Sequence, residues 1–277
     1  MPADFDRGAA FVREHGDEFD QARLDYLLGE GGLRSTEQGR RFLAGQRADG
    51  GWAPFWARDY SSLDATCFRL AQAELLLMPL SWPELVRALD FLRARQREDG
   101  SWEEDEAVRD AAPPWAKPGE LATRLYLTAN CGWWLVNASA YDNRSYLAEA
   151  ARAGEYLERY LAPDGELPSF LQAYWLAAAL WIRLNWGSQE LPDNARRALD
   201  HLAIRLDATV PSGALGWMLT TLAPLGVPPE HPAIVKAVAL LGEQQRPDGG
   251  WTSEDGSERD AYVTAQALIA LTQWGGI

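Results

Sequence analysis

Cysteine is almost missing from this chain: Cys67 and Cys131 are the only two in 277 residues. That is too few for a disulfide framework at this length, and they lack the close spacing of a zinc knuckle, so both read as buried thiols. Histidine is nearly as scarce, at His15, His201 and His231, and lysine occurs only as Lys117 and Lys236. Arginine therefore carries almost all the positive charge, and it is outweighed, because the formal net charge is −14. A chain this acidic lacks the basic face that neutralises phosphates, which excludes nucleic acid as a partner, and an anionic membrane would repel it. No uninterrupted apolar run is long enough to span a bilayer, and Met1 to Phe11 carries Asp4, Asp6 and Arg7 where a secretory signal has its apolar core. A cytoplasmic protein without stable membrane insertion is expected. Glycine-rich phosphate loops and a Gly-x-Ser-x-Gly elbow are missing too.

What is present is a repeated phrase. Gln46-Arg47-Ala48-Asp49-Gly50-Gly51-Trp52, Gln96-Arg97-Glu98-Asp99-Gly100-Ser101-Trp102 and Gln245-Arg246-Pro247-Asp248-Gly249-Gly250-Trp251 share the pattern Gln-x-x-Asp-Gly-x-Trp. Weaker copies stand at Pro163-Asp164-Gly165 and around Pro211-Ser212-Gly213, a period of about 40 to 50 residues that usually holds two helices. Asp-Gly supplies a turn residue and a positive-φ position after a helix, and the Trp ring can lie across the helix end. The Gln can hydrogen-bond loose backbone groups or stack on that Trp. The phrase is structural punctuation.

Between the phrases, apolar residues recur at three-to-four spacing. Helices are expected over 3–14, 18–29, 36–46, 62–78, 82–96, 118–137, 145–160, 168–184, 192–205, 213–224, 232–245 and 258–274, with essentially no strand. Ser81-Trp82-Pro83-Glu84 and Leu191-Pro192-Asp193 give the early-proline, acidic starts of two of them. Helices after a phrase, such as Ala173-Tyr174-Trp175-Leu176-Ala177-Ala178-Ala179, are rich in small and aromatic residues. Those before a phrase, such as Ala88 to Arg95, show one apolar stripe and a charged face. Six hairpins with inner and outer helices make an all-α (α/α)6 barrel, a toroid, with 1–277 as one domain and a site in its central cavity where inner helices begin.

Three groups of residues are candidates for that site. Asp64, in Tyr60-Ser61-Ser62-Leu63-Asp64-Ala65-Thr66, would be kept protonated by desolvation in an apolar cavity, or would cap its helix by accepting first-turn amides. Glu120 and Arg124 have the four-residue spacing of a helical ion pair, and an inward Arg124 could hold a carboxylate or diphosphate. The aromatic residues near inner helices, among them Tyr60, Trp115, Tyr174, Trp175, Trp217 and Tyr262, could line a cavity for an apolar or cationic ligand or fill the core. The acids Asp17, Glu18, Asp20 and Asp25 read as a solvated helix start, and Glu103 to Glu106 as exposed loop charge.

The three phrases resemble the repeated Gln-Trp motif of the squalene/terpenoid-cyclase and protein-prenyltransferase superfamily, over most of the chain and as one toroid. Arg259-Asp260-Ala261-Tyr262-Val263-Thr264-Ala265-Gln266-Ala267-Leu268 looks like the inner helix that follows such a motif. The resemblance implies a lipophilic, isoprenoid-type molecule in the cavity. The cyclases protonate an alkene or epoxide with the middle Asp of Asp-x-Asp-Asp-Thr, and the nearest match is Ser62-Leu63-Asp64-Ala65-Thr66. Asp64 falls on the proton donor, while Ser62 and Ala65 replace the flanking acids that would tune it. The prenyltransferase zinc histidine corresponds to Val263, so neither metal nor cofactor is expected. Acid-initiated cyclisation or isomerisation by Asp64 is the leading expectation, with Tyr60, Trp115, Tyr174, Trp175, Trp217 and Tyr262 shaping the pocket and Glu120, Arg124 and Asp260 making polar contacts. A ligand-binding or scaffold toroid without chemistry and a carbohydrate-active α/α barrel are the alternatives, and the sequence leaves room for an oligomer or a partner subunit.

Overall fold

The computed structural model describes residues 3–33, 35–140, 146–188 and 190–276. Twelve α-helices occupy them: α1 (Phe5–His15), α2 (Glu18–Leu27), α3 (Thr36–Phe42), α4 (Leu63–Glu74), α5 (Pro83–Ala94), α6 (Leu121–Ser139), α7 (Leu147–Glu158), α8 (Leu171–Leu184), α9 (Asp193–Arg205), α10 (Ser212–Leu222), α11 (Pro232–Glu243) and α12 (Asp260–Gln273). Every expected helix is there, most of them a turn or less shorter at one end. Among the described residues the sole extended pairing is an isolated bridge between Trp52 and Ser62. Pro83 and Pro232 open α5 and α11, where their missing N–H costs nothing. The residue at the N-cap of α5 is Trp82, not Ser81.

The chain divides into two compact units. The first comprises Met1–Phe42, Leu75–Leu77 and Leu202–Ile277, and the second Leu43–Glu74 and Met78–His201. In the second unit α6 packs between α4 and α8 and against α5 and α7. Its burial is nearly complete, from Leu125 to Ala138 without a break, as is that of α8 from Ala173 to Arg183. α5 instead buries one stripe, Leu85, Val86, Ala88, Leu89, Phe91 and Leu92. In the first unit α12 is the wrapped helix, packed by α1, α2, α10 and α11. The contrast between wrapped helices after a phrase and striped helices before one therefore holds within each unit.

The phrases work as hydrogen-bonded corners. In each, the Asp carboxylate accepts the amide two residues on: Gly51 from Asp49 at 3.1 Å, Ser101 from Asp99 at 3.0 Å and Gly250 from Asp248 at 3.0 Å. The Gln side chain serves as a hydrogen-bond donor to backbone. Its Nε2 donates to the carbonyl of its own turn and to one at the start of a neighbouring helix: Gln46 to Gly50 and Glu84, Gln96 to Gly100 and Glu149, Gln245 to Gly249 and Asp4. Gln245 thereby joins the last phrase to the N-cap of α1. The Trp amides all donate to a threonine hydroxyl on the following wrapped helix, Trp52 to Thr66, Trp102 to Thr128 and Trp251 to Thr264. The indoles of Trp102 and Trp251 reach back to Leu92 and Leu241 in the preceding helix.

The weak copy at Asp164 keeps the corner without the Trp: Glu166 donates to the Asp164 carboxylate, and the Tyr174 hydroxyl accepts from Leu167 in place of the threonine. The fifth corner lies at Asp207 to Val210, where Thr209 donates to Asp207, a few residues before the expected Pro211-Ser212-Gly213. Gly213 is already inside α10, and Ala208 stands where the other corners have glycine, which hides this copy from a search for Asp-Gly. No helix among the described residues is long and apolar enough to cross a membrane.

Candidate active site

The first turn of α4 is capped from outside. Leu63 and Asp64 present amides with no partner inside the helix, and the Glu104 carboxylate accepts both, at 3.1 and 3.2 Å. Glu104 also accepts from the Ser62 hydroxyl at 2.6 Å and the Tyr60 hydroxyl at 2.8 Å. It is 3% exposed. Burial pushes its carboxyl up, against the pull of these four donors, and the upward direction wins. Desolvation, with the Glu104 charge beside it, likewise raises the Tyr60 hydroxyl far above its ordinary value. Glu103 and Glu104 are thus not exposed loop charge. Glu104 takes the capping role that was open to Asp64, and it places a buried acid next to Asp64, where Ser62 and Ala65 had removed two.

Asp64, released from capping, meets other donors. The Tyr126 hydroxyl on α6 donates to its Oδ1 at 2.6 Å and the Trp115 indole to its Oδ2 at 3.1 Å. Asn130, one turn along α6, donates its amide nitrogen to the Tyr126 oxygen at 3.3 Å. Tyr126 is buried, and its hydroxyl is pushed up by desolvation first and by the Asp64 charge second. Phe170 meets the Tyr126 ring edge to face at 6.2 Å between centroids. Beside this group an open cleft of about 370 Å³ is lined by Pro114, Lys117, Glu120, Thr123 and Phe170 among others. Both carboxylate oxygens are held by neutral donors on an aromatic wall, an arrangement that stabilises the carboxylate once any proton on it has been given up.

The structure thus brings Asp64, Tyr60 and Trp115 together and adds Glu104, Tyr126 and Asn130. Glu120 and Arg124 do not pair. Glu120 sits exposed at the N-cap of α6 without a side-chain cap bond, while Arg124 donates to both oxygens of Glu103, at 3.0 and 3.1 Å, and Arg97 binds the same carboxylate. Tertiary approach of Glu103 outcompetes the weak i,i+4 pair. Tyr174 and Trp175 are fully buried, and Tyr174 stacks on His201 at 5.5 Å with its hydroxyl also donating to the Leu167 carbonyl. Trp217, Asp260 and Tyr262 belong to the first unit. There Asp260 accepts from Arg246 at 2.5 Å and from the Ser253 amide at 2.8 Å, and Arg23 lies 4.8 Å over the Tyr262 ring. Asp17 and Asp20 form a capping box, and Asp20 then pairs with buried Arg23 at 2.7 Å. Among the described residues no three His, Cys, Asp or Glu side chains are placed to share a metal ion.

At the far ends of the same helices a second polar group forms. Asn137 on α6 donates to the Glu74 carboxylate on α4 at 2.9 Å and accepts from Arg183 on α8 at 3.2 Å. Burial pushes the Glu74 carboxyl up to about 7, against the hydrogen bond from Asn137 and the Arg183 charge. An acid raised in the folded state stabilises the fold fully below its unfolded pKa, and that contribution is lost as pH rises through the folded value. Glu74→Gln cannot ionise, so its melting midpoint is expected to gain a few degrees on the wild type between pH 5 and pH 8. A constant difference across that range in thermal scans would contradict the burial argument.

No family model and no curated protein matches the chain. Solved structures do. A variant of the type II terpene cyclase MstE from Scytonema, in complex with geranylgeranyl dihydroxybenzoate, is 16% identical with a TM-score of 0.58, covering 98% of this chain and 96% of that one. The same enzyme without ligand is 17% identical with a TM-score of 0.55 and 96% coverage of each chain. A protein from Actinoplanes is 19% identical with a TM-score of 0.55 and 98% coverage of each. The chain accordingly has the all-helical fold of the type II terpene cyclases.

Proposed function

We propose that this chain binds a lipophilic isoprenoid-type molecule and that Asp64 is the general acid that protonates one of its alkenes, starting a cyclisation or isomerisation. The observation that carries this reading is the setting of the Asp64 carboxyl, held by Tyr126 and Trp115 beside the buried Glu104. Transfer of the Asp64 proton to an alkene carbon leaves a tertiary carbocation, which the rings of Trp115, Tyr126 and Phe170 would stabilise through their negative faces. The Asp64 carboxylate left behind keeps its two donors. The next double bond closes on the cation, and loss of a proton ends the sequence, so substrate and product share one formula. Lys117 and Glu120 would make polar contacts at the mouth of the cleft. Two of the matched cyclase structures hold geranylgeranyl dihydroxybenzoate and the product merosterolic acid A, which supports a prenylated substrate here.

The test is incubation of the purified protein with geranylgeraniol, geranylgeranyl diphosphate, squalene and a geranylgeranylated hydroxybenzoate, followed by mass spectrometry of the extracts. A product of unchanged mass and new retention time is expected. Recovery of every compound unaltered, with one of them bound, would replace this reading with binding without chemistry.

A further inference from the structure

Cys67 on α4 and Cys131 on α6, the only cysteines in the chain, stand sulfur to sulfur at 3.8 Å. Both are buried, at 1% and 0% exposure, in the second unit. We propose that this pair is an oxidisable dithiol, closed by a two-electron oxidant into an intramolecular disulfide that staples α4 to α6 directly below the Asp64–Tyr126 hydrogen bond. At 3.8 Å the sulfurs are in van der Waals contact with nothing between them. A disulfide requires about 2.05 Å, so each sulfur has to move by about 0.9 Å, within reach of a small χ1 rotation on each side.

The location gives the staple its interest. Cys67 lies one turn after Asp64 on α4, and Cys131 follows Asn130, whose amide holds the Tyr126 hydroxyl that donates to Asp64. Closing the pair therefore ties together the two helices that position the carboxyl and its donor. Burial also fixes the product, because neither sulfur is open to a thiol of another chain. Desolvation pushes both thiols up, so little thiolate exists, and burial means that an oxidant reaches them only as the α4–α6 contact opens locally, which makes the reaction slow and favours a small, uncharged oxidant over a protein thiol. Diamide meets that need. One thiol adds across its N=N bond, the second thiol attacks the sulfur so attached and expels the nitrogen, and both thiol protons end on the resulting hydrazine. The sulfurs lose two electrons and the azo bond gains them.

The experiment treats the full folded chain with diamide, removes the reagent, denatures in guanidinium with N-ethylmaleimide and records the intact mass. The expected species is 2 Da lighter than the reduced chain, carries no maleimide, is monomeric on a non-reducing gel and reverts with dithiothreitol. Tryptic mapping should find one cross-linked peptide joining Cys67 to Cys131, which needs no variant that could misfold. Two maleimide labels after oxidation of the folded chain would overturn the proposal. So would a disulfide between chains, or one that forms only when the chain is denatured before diamide is added. The outcome does not depend on any substrate.

Discussion

Replacing Asp64 by Asn is expected to lower product formation about 1,000-fold, the scale of losing a general acid, while the melting midpoint stays within a few degrees of the wild type. Asparagine has nearly the same shape, and its carbonyl oxygen can still accept from Tyr126 or Trp115, so the wall around the position should survive. What disappears is the transferable proton. The Glu104 cap on α4 uses backbone amides and the hydroxyls of Ser62 and Tyr60, none of which the change removes. A variant that folds and turns over at the wild-type rate would move the acid elsewhere and end the proposed mechanism. Extract analysis and a thermal scan on the same preparation separate that result from simple unfolding.

Gly165→Ala should destabilise the protein by about 3 kcal/mol, seen as a fall in melting midpoint of roughly 8 °C. Gly165 has φ of 86°, in the left-handed region, and a Cβ there would collide with the backbone carbonyl oxygen of Arg197 on α9. The corner is built so that the glycine lies flat on a neighbouring helix. Gly50, Gly100 and Gly249 do the same against the carbonyls of Arg87, Arg152 and Arg7. Since the obstacle is backbone, relief requires a whole helix to shift. Gly226 is the control: its φ is 70° but its Cβ position is open, so Gly226→Ala should cost only the conformational strain, about 1 kcal/mol. Equal effects at the two positions would show that the helix contact contributes nothing.

These corners explain how much of the fold could be read in advance. Asp-Gly after an apolar stripe is local chemistry, the carboxylate, the amide two residues on and the positive φ lying within four positions of one another. The helices around it follow from periodicity over a dozen residues. Where the local signal is altered, at Ala208, the reading slipped by a few residues although the corner itself remains. Asp64 was legible as a candidate through a five-residue pattern, Ser62 to Thr66, whereas Trp115 was legible only as an aromatic residue near a pocket and not as a hydrogen-bond donor to that carboxyl. Tyr174 was legible as aromatic but not as a brace, because its hydroxyl substitutes for a threonine that the other corners carry.

The sequence alone determined the number and order of the helices and which of them are wrapped and which are striped, and it marked Asp64 as a candidate, since each depends on residues close in the chain. Tertiary structure alone decided what surrounds that acid. Glu104 lies 40 positions from Asp64 and Tyr126 lies 62, and Arg124 preferred Glu103 over the Glu120 one turn away. Such choices turn on which buried groups have unmet hydrogen bonds when the helices pack, and an unpaired amide or carboxylate away from water costs more than a surface ion pair returns.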